Sequence, residues 1–317
     1  MIFQNVVDDE GEIYQEKFVE SGTVYQIGAD SGFQFKPNSY RGEFYFELSK
    51  LLKNFDDYLF CEYDSDDFNI PAVRFHDHKN KVLMWRAGEK KLHQIKEVKQ
   101  YFTHVFANYY WDEDGVTSIP LGYNNYFDKN EVPVNERNYD ISFIGALNNH
   151  RIPVASEITG IHRYLISYGL YKNPEKTLRF LNNFCDWTKK SQGKYFFTWE
   201  FNTGISSEHY CNILLHSKIA LAPKGWINTE TFRMYEAMKY GCVVVADVLP
   251  ERNYYKNIPV IQVENWKDGF KQIRGMLKNK KLMHELSLKH KAFYDEYLSP
   301  KATAKIVADK LNSIKLK

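Results

Sequence analysis

Between residues 217 and 247 the chain reads SKIALAPKGWINTETFRMYEAMKYGCVVVAD, and no other stretch restricts the fold as much. Residues 218–223 run apolar and stop at Pro223-Lys224-Gly225, a turn signal. Asn228 or Thr229 then offers an N-cap to a helical pattern that carries Phe232, Tyr235, Ala237 and Met238 and ends at Gly241. The β-branched run CVVVA at 242–246 reads as a buried strand. Strand, loop, helix and strand make a parallel β-α-β unit. Its glycine loop and helix N-terminus lie at the carboxyl end of the first strand, where open α/β sheets bind phosphates.

The flanking sequence extends this pattern. Strands are expected at 23–29, 58–63, 81–85 and 103–107, with helical spacing at 44–55 and 91–101 between them. IPLG at 119–122 ends this half, and the polar DKNEVPVNERN at 128–138 reads as a linker. Strand YDISFIGA at 139–146 opens a second half, followed by a long helical region at about 151–190. Strand 194–200, helix 207–217, the stretch described above, strand 259–263 and three helices complete it. Alternating strands and helices imply parallel sheets. The expected domains are 1–135, 136–300 and a C-terminal helix at 301–317 packing on the first.

Composition narrows the function classes. Lys and Arg number 42 against 40 Asp and Glu, so no overall basic field argues for a nucleic-acid partner. Four cysteines without paired spacing argue against a disulfide or zinc framework. The acidic N-terminus has no apolar core of signal-peptide length, and no stretch reaches the ~18 apolar residues of a membrane span. A cytoplasmic protein is expected, with peripheral association at the inner face of a membrane left open.

Three motifs in order carry a family resemblance. They are the IPLG turn; ISFIGALNNHR, with Phe143, Gly145 and Arg151; and PKG…TETFRMYEAMKYGCVVV, with Arg233, Glu236, Ala237 and Gly241. Together the chain resembles the exostosin-like inverting glycosyltransferases of the GT-B fold. That resemblance implies two Rossmann-like domains with parallel sheets facing across a cleft, and a C-terminal helix that crosses back to the first domain. It implies transfer of a sugar from a nucleotide diphosphate sugar, UDP slightly ahead of GDP, to an oligosaccharide or glycolipid acceptor in surface polysaccharide synthesis. No cofactor or metal is expected, because helix dipoles and basic side chains neutralise the departing diphosphate in this fold.

The resemblance also assigns roles. Gly145, Arg151, Lys224, Gly225, Asn228, Thr229, Thr231, Arg233 and Glu236 make the donor site, with Glu236 accepting from ribose hydroxyls. Read from the helix alone, Arg233 and Glu236 are three apart and could equally form a surface ion pair. Asn228 stands where retaining relatives carry the first glutamate of E-x7-E, which favours inversion. The catalytic base is expected in the first half: Glu89 at the end of KVLMWRAG, or Asp30 between Gly28 and Gly32, with His76 behind them. Each carboxylate could instead cap a turn or helix. Asp64-Ser65-Asp66 mimics a metal-binding D-x-D but lies in an acidic run, and His76, His78 and His93 do not make a known zinc site. Two other readings compete: a non-catalytic sugar-nucleotide or glycan-binding protein of the same form, and a two-domain epimerase.

Overall fold

The computed structural model describes residues 2–7, 13–17, 25–26, 34–35, 40–63, 79–86, 92–123, 131–188, 192–200 and 204–314. The chain forms two compact units. One comprises residues 1–122, 252–254 and 297–317; the other comprises 123–251 and 255–296. The first unit thus ends at Gly122 rather than near residue 135. Val134 lies in the second unit's core, and the buried Arg137 donates to the carbonyls of Val132, Ser217 and Tyr240, which ties residues 131–137 to that unit.

The first unit opens with β1 (Ile2–Val7) and β2 (Ile13–Lys17), an antiparallel pair that the sequence reading did not anticipate. Short strands β3 (Tyr25–Gln26) and β4 (Gln34–Phe35) pair with each other, β3 covering part of the strand expected at 23–29. Helix α1 (Tyr40–Leu51), β5 (Leu59–Tyr63) and β6 (Lys81–Trp85) follow. The helix expected at 91–101 is broken into 3-10 turns around the single-turn α2 (Ile95–Val98). Strands β7 (His104–Ala107) and β8 (Val116–Ser118) complete a sheet of order β2-β1-β5-β6-β7-β8, parallel from β1 to β8. Alternate side chains fill opposite faces. Phe60, Val82, Met84 and Phe106 pack on one side, and Cys61, Leu83, Trp85, Val105 and Ala107 on the other.

The second unit runs β9 (Tyr139–Ala146), α3 (Ile152–Thr159), α4 (Arg163–Lys172), α5 (Pro174–Thr188), β10 (Lys194–Thr198), α6 (Ser207–Leu215) and β11 (Ser217–Ala222). It continues through α7 (Phe232–Lys239), β12 (Val243–Asp247), β13 (Ile261–Val263), α8 (Trp266–Leu277) and α9 (Lys280–Phe293). All five strands are parallel, in the order β10-β9-β11-β12-β13. Gly241 takes φ +67° and ends α7 in a left-handed cap. Its N–H donates to the Met238 carbonyl and that of Cys242 to Ala237, so the chain enters β12 with both helix-end carbonyls satisfied.

Helix α10 (Pro300–Ser313) belongs to the first unit. Ala304, Val307, Ala308 and Leu311, at helical spacing, pack with Phe44 and Leu48 of α1. Tyr40 Oη and Thr303 Oγ1 lie 2.5 Å apart, and Tyr58 Oη donates to the Leu311 carbonyl at 3.2 Å. Among the described residues no helix is long and apolar enough to cross a membrane.

Among the described residues, His104 of the first unit and His290 of the second are buried and neutral. His104 Nε2 is 2.8 Å from Thr117 Oγ1, and His290 Nδ1 is 2.8 Å from the Leu286 carbonyl. Burial lowers both to about 4. In the unfolded chain they titrate near pH ~6.5. Below that value the unfolded state takes up protons that the native state refuses, so stability present above pH ~6.5 is lost as the pH falls towards about 4. Denaturant unfolding between pH 7 and 4 should therefore lose up to about 3 kcal/mol for each histidine. His290→Leu should flatten that slope; an unchanged slope would show that His290 does not contribute to it.

Candidate functional site

The order β10-β9-β11 places the second strand of this unit on one side of the first and the third on the other. The direction of winding therefore reverses between β9 and β11. In doubly wound sheets the crevice outside the carboxyl ends of two such strands is the ligand site. Here those ends carry Gly145-Ala146 and Ala222-Pro223-Lys224-Gly225.

Two side chains stitch the strand ends together. Asn148 Nδ2 donates to the Gly225 carbonyl at 3.1 Å, while its Oδ1 accepts from the His150 and Arg151 amides. Arg151 donates through Nε to the Lys224 carbonyl at 2.9 Å and through Nη1 to Ala146 at 2.8 Å. Both residues are buried, Arg151 at the N-cap of α3. From β12, Asp247 accepts from the Lys224 amide at 2.6 Å and from Trp266 Nε1 at 3.2 Å. Gly225 turns the loop by donating to the Asn228 carbonyl at 2.8 Å.

Arg233 reaches β9 from the first turn of α7. Its Nε donates to the Ile144 carbonyl at 2.9 Å, and Nη2 donates to the same oxygen. The guanidinium lies 4.8 Å over the Phe143 ring, a cation–π contact. A Cβ on Gly145 would overlap Arg233 Nη2 and come within 3.7 Å of Arg151 Nη1. Gly145, at φ +154°, is therefore favoured twice, by its backbone and by the Arg233 guanidinium packed over it.

Three features leave positive charge and donors unused there. Arg233 Nη1 is buried without a hydrogen-bond partner. The N-cap of α7 is Thr231, whose side chain makes no capping bond and whose buried Oγ1 has no partner. The helix thus presents its first amides uncapped, with the partial positive charge of a helix N-terminus. Sequence spacing predicts this cap at Asn228 or Thr229. The helix starts later because Asn228 closes the Gly225 turn, so 228–230 belong to the loop.

Glu236 is buried, and its Oε2 accepts from Tyr210 Oη at 2.7 Å, which rules out an exposed helix-surface pair with Arg233. Burial, followed by the charge of Glu236, holds the Tyr210 phenol well above its ordinary range, so Tyr210 stays a donor. The sequence reading missed Tyr210, Asn148, Asp247 and Trp266. Only Asn148 and Asp247 left a signal, a turn former after β9 and a carboxylate ending a β-branched run. Glu89, Asp30, His76, His78 and Asp64–Asp66 lie outside the described residues. Among the described residues no group of three or more His, Cys, Asp or Glu converges as a metal site.

Residues 186–293, about a third of the chain, match the sequence model of the RXYLT1 C-terminal domain. The match contains β11, the loop and α7, but not Gly145 or Arg151. No curated protein matches the chain. Among solved structures it is similar to TarM, at 16% identity and a TM-score of 0.50, covering 96% of this chain and 64% of that one. It thus spans less than two thirds of TarM's length. It is similar to an alpha-glucosyltransferase in complex with UDP-glucose and DNA containing an abasic site, at 11% identity and a TM-score of 0.52, covering 86% and 84%. A third likeness is the N-terminal domain of Candida albicans trehalose-6-phosphate phosphatase, at 11% identity and a TM-score of 0.51, covering 90% and 77%. These likenesses show the fold: an α/β chain with parallel sheets and glycosyltransferases of the GT-B form among its structural neighbours.

The contact at Gly145 has a measurable consequence. Gly145→Ala should cost about 1–3 kcal/mol by overpacking against Arg233. In an Arg233→Ala background, where the guanidinium is gone, the same change should cost less, with only the backbone strain remaining. A double-mutant cycle in denaturant unfolding reads this coupling. Equal costs in the two backgrounds would place the strain in the backbone alone.

Proposed function

We propose that this chain is a glycosyltransferase whose second unit binds the diphosphate of a nucleotide sugar, a UDP-sugar before a GDP-sugar. The observation that carries the reading is the convergence of Arg151 and Arg233 on Gly145, beside the uncapped N-terminus of α7, at the reversal between β9 and β11. The matched RXYLT1 C-terminal domain and the likeness to an alpha-glucosyltransferase in complex with UDP-glucose support it.

In this reading the α7 amides and Arg233 Nη1 receive the phosphate oxygens, at a helix terminus that favours an anion. Arg151, committed to two carbonyls, sets the approach of the loop and adds charge. Lys224, Gly225, Asn228, Thr229 and Thr231 line the loop. Glu236, held by Tyr210, accepts from the ribose hydroxyls. As the glycosidic bond to the diphosphate breaks, charge accumulates on the leaving oxygens, and these fixed donors stabilise it without a metal. The acceptor, an oligosaccharide or glycolipid hydroxyl, attacks the anomeric carbon as Glu89 or Asp30 takes its proton, and configuration inverts. Surface polysaccharide synthesis on the cytoplasmic side, with peripheral membrane association, suits such acceptors. A non-catalytic sugar-nucleotide-binding protein would share the donor site and lack the base.

Titration calorimetry with UDP and GDP tests the first step. Arg233→Ala should weaken nucleotide binding by about 1.5–3 kcal/mol, the value of a charge-assisted contact. Turnover of the accepted sugar nucleotide should persist in EDTA and fall sharply in Glu89→Gln or in Asp30→Asn. Unchanged affinity in Arg233→Ala would leave that residue a packing role alone. Binding without transfer or hydrolysis of any donor would select the non-catalytic reading.

A further inference from the structure

The first unit holds a second arginine with unused donors. Arg86 follows β6 directly and continues the ladder, its amide donating to the Tyr63 carbonyl at 2.9 Å. It is 94% buried as a residue, being 6% exposed. Its Nε donates to both oxygens of Glu62, at 3.0 Å each, and the guanidinium stands 4.7 Å over the Phe44 ring. Glu62, itself buried near the end of β5, also accepts from Tyr45 Oη at 2.6 Å. One nitrogen of Arg86 therefore makes all of its contacts with Glu62. Nη1 and Nη2 are both buried and have no hydrogen-bond partner.

Arg137 supplies the comparison within the same chain. It too is buried, and Nε, Nη1 and Nη2 each reach a backbone carbonyl. An arginine used only to tie strands together is saturated in that way. Arg86 is instead fixed through Nε by Glu62 and over its face by Phe44, and the edge that carries Nη1 and Nη2, buried and without a partner, is unused. That edge is the fork that meets two oxygens of a carboxylate or phosphate at once. It stands at the carboxyl ends of two parallel strands, the edge of an α/β sheet where ligands bind.

We propose that Arg86 is an oxyanion site of the first unit, taking the carboxylate or phosphate of an acidic carbohydrate. The site stands on the first unit's own geometry; the assignment of its ligand as the acceptor rests on the transferase reading, in which the donor belongs to the second unit. The acceptor is then an acidic glycan or a sugar phosphate rather than a neutral sugar. Glu62, Tyr45 and Phe44 are positioning residues that hold the fork.

Titrations with glucuronate, glucose 6-phosphate and neutral glucose test this on the full chain, with UDP as a separate probe. Wild type should bind one or both acids and discriminate against glucose by tenfold or more; which acid binds separates a carboxylate source from a phosphate one. Arg86→Lys keeps the charge and loses the fork, and should weaken acid binding at least tenfold while UDP binding stays as in wild type. Should Arg86→Lys fail to fold, arginine side-chain NMR on wild type still decides: the Arg86 Nε–H resonance should move with added acid and not with glucose. Acid binding equal to that of glucose, acid binding unaffected in Arg86→Lys, or an unmoved Nε–H signal would overturn the proposal. Loss of UDP binding with acid binding intact would instead sink the transferase reading and leave the oxyanion site standing.

Discussion

The guanidinium of Arg233 occupies the volume that a side chain at position 145 would fill, and the second unit's site depends on that contact. Arg233 comes from α7 and Gly145 from β9, two elements far apart in sequence. Packed this way, the arginine bonds the Ile144 carbonyl at the end of its strand and shields the Phe143 ring. It also fixes how far α7 stands from the strand, and hence where the uncapped helix amides point. A glycine is needed because the arginine replaces the missing side chain. The arginine is held in turn because a strand-end carbonyl accepts it.

Rigidity here is shared unequally. Arg151 and Asn148 are committed to backbone carbonyls on both sides of the strand reversal, so the loops after β9 and β11 are tied to each other. Asp247 adds a third tie from β12. Arg233 and Thr231 each keep one group without a partner. A buried donor left unpaired costs about 1–3 kcal/mol, a cost that an anion bridging the helix terminus and the guanidinium would remove. The site is thus built stiff where it meets the sheet and unsatisfied at the helix terminus, the division of labour that preorganised binding of an anion would require.

How much of this could be read beforehand follows from which forces are local. KVLMW, CVVVA and YDISFIGA are strands in the structure within a residue, because buried parallel strands are continuous apolar runs that few alternatives can absorb. The end of α7 was legible for a similar reason, since Gly241 supplies a left-handed residue that the capping geometry needs. Its start was not. Asn228 is a good cap by type, but the Gly225 turn uses its carbonyl, and the helix starts at a threonine whose hydroxyl caps nothing. The helix expected at 91–101 fails in the same way: its apolar spacing is helical, while the turns are set by packing under the first sheet. The motifs located Gly145, Arg151, Arg233 and Glu236. Tyr210, which reaches Glu236 from α6, carries no mark in sequence because its role exists only once two helices are side by side.

Arginine illustrates how a structure adds to a motif. By type and burial Arg86, Arg137 and Arg151 are alike, and the sequence singles out only Arg151, through its motif. What separates them is how their donors are used. Arg137 has each of its three nitrogens on a carbonyl, and its charge serves to join β11, α7 and the segment before β9. Arg233 uses two nitrogens on one oxygen and keeps the third. Arg86 spends one nitrogen on a carboxylate and keeps two. Burial of a guanidinium is tolerable only when its charge is balanced and its donors are met. In Arg86 the charge is balanced by Glu62 while the donors are not, so the missing partner is defined by geometry more than by net charge: two oxygen atoms, side by side, in the plane of the fork. A single carbonyl or hydroxyl meets half of that requirement. A carboxylate or a phosphate meets all of it, which is why an acidic group fits the first unit better than a neutral sugar does.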